Sequence, residues 1–592
     1  MANQQTMEEF SKVIQGLMNQ DNNTRKQAEE FYGNYVKSNP SLVAQFLLNF
    51  TCNASDVALK TFSPVLLRKL VSTKESLGLL DTTTLLAIQN QLPVALQSEQ
   101  NSSVRRKICH VIANVASSYE QAKVSLEQKW PQLLQITLAL SSNNDSSMRE
   151  TGLYLLAQIG EYAPEFLQRS KQHIFGTLSN VFTAASSNNN ALTLDGKVYL
   201  TQATINFMLS LDEANLGQCE AVMSPLLNTL SQLLQAGEEL NAQDAMKSLM
   251  DLACNESVVK YMPTGVTTLS EAMLQVASTT SFDAKTRQIA LELITSLGDI
   301  APGAMRKRGA FVMQLVKCCI DMMAEEGDCD DEFKANTYTK YTESETDQDS
   351  MLGSAVDALH RLCLKLGGKA VLPSIFGNGP RLIADVQNWR NRRAGILAIS
   401  TTCEGAKKML LPQLPKLFQM LLPLIQNDSD QRVRYFAIAA VAQIIETFDG
   451  KVQANLHGEI IPIIGAALYP QSQSGNCCRV RATGATCVLS FANPEKCPSS
   501  SLLPYLDPLL NGLFSILNET NVDPSVQEEV IEAISVVAKV SGEAFGKFYD
   551  GFMPAAKGII ASATAVEYQK LRGKTMDCVG LIGIAVGKDK FS

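Results

Sequence analysis

The sequence predicts an all-α fold, a HEAT-type right-handed superhelix of about thirteen antiparallel helix pairs, and three observations predict it. The first is a polar turn in which Asp or Asn is followed four residues later by Arg: Asp21/Arg25, Asn101/Arg105, Asp145/Arg149, Asp283/Arg287, Asn388/Arg392 and Asp430/Arg434. The second is spacing, since Arg105 to Arg149 is 44 residues, Arg392 to Arg434 is 42 and Arg434 to Arg481 is 47. A period near 45 is that of two-helix repeats. The third is an apolar stripe at helical spacing behind the turn, as in Val433, Phe436, Ala440, Val441 and Ile444.

Each element follows from this unit. Asp or Asn is a good N-cap because its side-chain oxygen accepts from the orphan N–H groups of the first turn. An Arg four residues on can fold back to the cap or reach the neighbouring repeat. The second helices are therefore expected near 24–37, 56–71, 102–117, 146–160, 193–210, 240–254 and 284–298, then 351–366, 388–402, 431–446, 478–492, 524–540 and 566–585. The last three start at looser copies of the turn: Cys477/Arg481, Asp523/Gln527 and Tyr568/Arg572. The first helices often carry proline, at Pro225, Pro412, Pro415, Pro462 and Pro554, which suits a first turn or a bend. A solenoid of this kind presents a long wall of second helices, a geometry for binding rather than catalysis.

The 592 residues are 45% hydrophobic and 19% charged, enough apolar side chain for a core and too little charge for disorder. No apolar run approaches the roughly 18 residues of a membrane span, and MANQQTMEEF does not resemble a signal peptide, so secretion and membrane insertion are not expected. The 14 cysteines include the pairs Cys318-Cys319 and Cys477-Cys478 but no CxxC, which points to reduced thiols rather than zinc ribbons. Lys and Arg (51) trail Asp and Glu (59) with no basic stripe among aromatics, so direct nucleic-acid binding is not expected.

One stretch breaks the pattern. Residues 321–350 hold eleven Asp/Glu and two Lys, a net of −9 against −8 for the whole chain, so the remainder is about +1. The insertion separates the two helices of one pair and reads as an acidic arm that attracts a basic partner. No catalytic constellation emerges. His110, His173, His360 and His457 are far apart and lack metal spacing, FGNGPR (376–381) has no P-loop lysine, and Trp130 and Trp389 read as packing residues at helix starts. No metal, no cofactor and no enzymatic activity are expected.

More specific than any periodicity are DNNTRKQAEEFY (21–32), PVLLRKL (64–70), SVRRKICHVIANVA (103–116), ALHRLCLKLGGKAVLP (358–373), NWRNRRAGILAIS (388–400), RVRYFAIAAVAQI (432–444), SLLPYLDPLL (501–510) and RGKTMDCVGLIGIAVGKDKF (572–591). These resemble the karyopherin-β3, importin-5-like branch of the importin-β superfamily, in order along the chain. The resemblance implies a monomeric nuclear import receptor that shuttles between cytoplasm and nucleus, binds basic localisation signals, contacts FG-repeat nucleoporins and releases cargo to the GTP form of the Ran GTPase. The rival reading is a HEAT scaffold of a cytosolic complex without Ran dependence. The expected organisation is 1–120 for Ran, 121–320 as further repeats, 321–350 as the acidic loop, which importin-β proteins carry in this place, and 351–592 for cargo.

Carried over residue by residue, the resemblance points to Arg68, Lys69 and Lys107 on the early second helices as Ran contacts, with the loop residues Glu325, Glu326, Asp328, Asp330, Asp331 and Glu332. Arg25 and Arg105 are already explained by the turn register. Cargo lysines in this branch are implied to sit in acidic or amide-lined pockets. Glu404 matches the family pattern, whereas His360, Thr447 and Ser490 stand where Asp, Asp and Asn are expected. Neighbouring Asp357, Glu446 and Asp449 are placed to substitute, which makes Asp357, His360, Glu404, Glu446 and Ser490 the candidate cargo set. Family members run to roughly twenty repeats, so a chain of about thirteen is expected to lack the surfaces of the later ones.

Overall fold

The computed structural model describes residues 2–187, 192–325, 350–448, 450–469, 477–519, 522, 524–563 and 565–591. All regular elements among them are helices, and they form two compact units, Met1–Ile300 and Ala301–Ser592.

The first unit holds pairs 1 to 7, whose second helices are Asn22–Ser38, Val57–Val71, Ser102–Gln121, Ser146–Tyr162, Leu194–Ser210, Glu239–Ala253 and Ala284–Ile300. The second holds pairs 8 to 13, with second helices Met351–Leu366, Trp389–Thr402, Gln431–Thr447, Cys478–Phe491, Pro524–Ser541 and Gln569–Val586. Every boundary lies within about four residues of its sequence expectation. Gly309–Met323 and Met351–Leu366, which flank the insertion in sequence, are the two helices of pair 8. In each unit successive second helices pack side by side, from Val57–Val71 onward in the first and throughout the second.

Local chemistry explains the agreement. Asp21, Asp56, Asp81, Asn101, Asp145, Asn388 and Asp430 all cap helices, each accepting from a backbone N–H of the first turn. Pro225, Pro462 and Pro554 sit inside first helices, and Pro415 lies in the first turn of Leu414–Asn427. Behind the caps, Val433, Val441 and Ile444 are fully buried, each contributing about 1.5–3 kcal/mol. Gly367 ends Met351–Leu366 at φ +80°, a conformation that lets Gly368–Ile383 begin at once.

In six repeats the arginine of the turn does something the spacing did not reveal: it closes the preceding helix, whereas Arg25 donates to Asn22 of its own helix. Arg105 Nη1 donates to Glu99 O (3.0 Å), Arg149 Nε to Asn143 O (2.8 Å), Arg287 Nε to Ala277 O (2.9 Å), Arg392 Nη1 to Asp385 O (2.7 Å), Arg434 Nε to Asp428 O (2.6 Å) and Arg481 Nε to Leu468 O (2.8 Å). Each acceptor lies at or just past the end of the pair's first helix, where carbonyls have no intrahelical partner. Several of these arginines also reach the next repeat. Arg105 donates to Ser147, Arg392 pairs with Asp428, and Arg481 pairs with Glu519. One side chain thus ties the turn and the stacking of neighbours together.

Candidate functional site

Flanked on both sides, a second helix keeps only a narrow open stripe. In Pro524–Ser541 the positions after Val530 that are not buried are Glu532, Val536 and Lys539, which continue from Ser525 and Glu529 at helical spacing. In Gln431–Thr447 they are Gln431, Arg432, Ala439, Gln443, Glu446 and Thr447, and in Cys478–Phe491 they include Thr483, Thr486 and Leu489. These stripes are the surface that a chain laid along the second helices would touch.

In the second unit the stripes bring carboxylates and small hydroxyls together across repeats. Glu404 lies just beyond Trp389–Thr402, with its Oε2 3.6 Å from His360 Nε2 of pair 8. His360 Nδ1 stands 3.4 Å from Thr401 O. Glu446 of pair 10 accepts from Ser490 Oγ of pair 11 at 2.6 Å. Thr486, one turn before Ser490, donates to Glu529 Oε2 of pair 12 at 3.3 Å. Asp357 is engaged within its own helix by Arg361 at 3.3 Å. Thr447 bonds its own helix, its hydroxyl donating to Gln443 O at 2.7 Å. Burial raises the Glu529 carboxyl above the ordinary range, against the pull of Lys574.

Of the sequence-predicted cargo residues, the structure thus joins His360 to Glu404 and Glu446 to Ser490, and gives Asp357 a separate partner. Asp449 lies outside the described residues. Sequence reasoning missed Thr486, Glu529 and Glu532. The only signal was a cluster of three acids, Glu528, Glu529 and Glu532, within Pro524–Ser541, which resembles any solvated helix face.

The first unit carries a different stripe. Arg68 is half-buried in the last turn of Val57–Val71, with Lys69 exposed beside it, and Lys107 is half-buried on Ser102–Gln121. Next to them His110 Nε2 stands 2.8 Å from the Tyr154 hydroxyl, and the Tyr154 and Tyr199 rings are 4.7 Å apart. Arg106 Nη1 donates to the Tyr199 hydroxyl at 3.1 Å, and its Nη2 lies 3.7 Å from Asp195 Oδ2. Burial, then the Arg68 charge, lowers the His110 pKa, since both disfavour the imidazolium. The sequence reading passed over this His–Tyr–Tyr–Arg row because its members sit on three different repeats.

Of the predicted loop residues only Glu325 is described, and its carbonyl accepts from Arg393 Nη2 at 2.8 Å. Glu326, Asp328, Asp330, Asp331 and Glu332 lie outside the described residues. Trp389 does more than pack: Arg432 lies 3.6 Å from its ring centroid, with Arg390 and Arg393 each at 5.0 Å. Trp130 is a core residue, 1% exposed. The described cysteines are all free thiols, most of them buried.

Comparison with known proteins meets this geometry. Residues 100–272 match a family model described as IPO5-like, TPR repeats, and 279–373 one described as Importin repeat, with a HEAT-like repeat at 389–444. The chain belongs to the importin-β superfamily. Among curated relatives of this importin, Importin subunit beta-3 of Saccharomyces cerevisiae is 26% identical over 98% of this chain and 51% of its own length. A Probable importin-5 homolog of Dictyostelium discoideum is 24% identical over 99% of this chain and 52% of its own. The crystal structure of Kap121p superposes with a TM-score of 0.85 at 25% identity, covering 99% of this chain and 54% of that one. Kap121p has also been solved bound to RanGTP and to Pho4p. The chain spans about half the length of these relatives. They bear the names of importins and karyopherins, not of enzymes.

Proposed function

We propose that this chain is a nuclear import receptor that holds a basic localisation signal along the second-helix stripes of pairs 8 to 12 and yields it when Ran·GTP binds. The observation that carries the reading is the row of Glu446, Thr486 and Glu529 on adjacent open stripes of one unit, with Glu404 just beyond the second helix of pair 9 and the buried Ser490 bonded to Glu446. Lysine ammonium groups laid along such a row gain charge-assisted hydrogen bonds without deep burial of either charge. Arg68, Lys69 and Lys107 on the first-unit stripe are assigned to Ran, with the acidic residues 325–332 as a further contact. FG-repeat nucleoporins as pore partners, a monomeric state and shuttling between cytoplasm and nucleus belong to the same reading.

The test is binding of a fluorescent lysine-rich peptide to the chain and to Glu404→Lys, with Ran·GTP or Ran·GDP added. Expected are competition by Ran·GTP alone and a loss in Glu404→Lys that is largest at low salt. A peptide insensitive to both nucleotide states and to the charge reversal would refute the reading.

A further inference from the structure

Beyond the predicted cargo residues, the carboxylate row continues onto pair 12 and there meets a cation of the chain itself. Glu532 Oε1 is 2.7 Å from Lys574 Nζ of pair 13, and Glu528 Oε2 is 3.8 Å from the same ammonium. Lys570, one turn earlier, also reaches Glu528 at 3.1 Å. The two lysines differ in setting. The Lys570 side chain is 66% exposed, whereas that of Lys574 is 17% exposed. The Lys574 ammonium makes toward Pro524–Ser541 the same kind of contact that a lysine of a bound peptide would make toward Glu404 or Glu446.

We propose that Lys574 is a specificity-determining residue: an internal lysine that occupies the Glu532 carboxylate and interrupts the acidic row there, limiting how far a bound basic segment advances along pair 12. The inference rests on the import-receptor reading above. A peptide lysine advancing past Glu529 finds Glu532 taken and a fixed positive charge beside it. The chain therefore rejects an additional basic residue at that end by like-charge repulsion as well as by the loss of a free carboxylate. At the other end of the row Glu404 faces an imidazole instead, that of His360, 33% exposed.

Lys574→Met keeps the stem and removes the ammonium, and Lys570 remains on Glu528 to hold the fold, which a thermal melt checks. Three synthetic peptides are compared: a short lysine-rich core and the same core with one further lysine at either end. In Lys574→Met, one extended peptide, and not the core, is expected to bind about three- to fivefold tighter at low salt, with the gain fading at high salt. The gain should vanish in Lys574→Met/Glu532→Gln. Lys539→Met removes the same charge from the Pro524–Ser541 stripe without freeing a carboxylate and should give no selective gain. An equal gain for all three peptides, or none, overturns the stopper while leaving the receptor reading intact. If no peptide binds the unaltered chain, the receptor reading fails and takes this inference with it.

Discussion

Arg392→Met is the perturbation from which most can be learned, because one side chain joins two repeats. Its guanidinium donates to Asp385 O at 2.7 Å and to Asp428 Oδ1 at 2.9 Å, with Nε 2.8 Å from Asp428 Oδ2 in an ion-pair contact that lacks hydrogen-bond alignment. The side chains of Arg392 and Asp428 are 5% and 7% exposed. Methionine fills the stem but leaves the Asp385 carbonyl and a buried carboxylate without their cation. A lost neutral bond costs about 1 kcal/mol, a lost charged bond about 1.5–3, and truncating a buried pair about 3–5 in all. The Asp430 N–H still donates to Asp428 at 2.9 Å, so the lower part of that range, about 3 kcal/mol, is expected. Arg392→Lys should recover little, since an ammonium cannot reach carbonyl and carboxylate as a fork. Because repeat arrays do not melt as one unit, the assay is hydrogen exchange over Trp389–Thr402 and Leu414–Asn427 beside a urea melt. A loss below about 1 kcal/mol, or faster exchange spread evenly over pairs 8 to 13, would refute the idea that this arginine locks adjacent repeats.

Two further outcomes follow from the same geometry. At Gly152 an added Cβ would stand 2.2 Å from Ser141 N and 2.4 Å from Leu140 C, so Gly152→Ala must push the helices of pair 4 apart. The expected cost is about 1–3 kcal/mol or more, read as a lowered Tm and faster exchange in Gln132–Ser141, and an unchanged Tm would contradict it. Glu529 is raised by burial, and a carboxyl raised on folding contributes stability that is present below its unfolded pKa and lost as pH rises through the folded value. Glu529→Gln should therefore raise the Tm at neutral pH and lose that advantage near pH about 4, where the wild-type carboxyl is itself protonated. A stabilisation equal at both pH values would place its cause elsewhere.

The acidic surface of the second unit was partly legible and partly not. Glu404 and Ser490 could be placed because the turn register and the family pattern fix their position within a repeat. Their pairing with His360 and Glu446 could not, because His360 lies 44 residues before Glu404 and Glu446 the same distance before Ser490. A period near 45 says that such residues occupy equivalent positions. It does not say that they face one another, since that depends on the rotation between neighbouring helices. Lys574 was hidden for the same reason: its sequence neighbours suggest a solvated helix face, and only the approach of Pro524–Ser541 gives its charge a partner.

By itself the sequence determined the helix pairs, their boundaries and their all-α class, because caps, turn residues and apolar periodicity act within a few residues of backbone. It also determined the place of the acidic insertion, which is a matter of composition. Only the tertiary structure decided what the repeated arginine binds, which stripe of each second helix stays open, and which carboxylates meet hydroxyls or lysines there. Those outcomes depend on side chains some 40 residues apart coming within hydrogen-bonding distance, and the packing of adjacent repeats sets that distance to a precision that no local pattern carries.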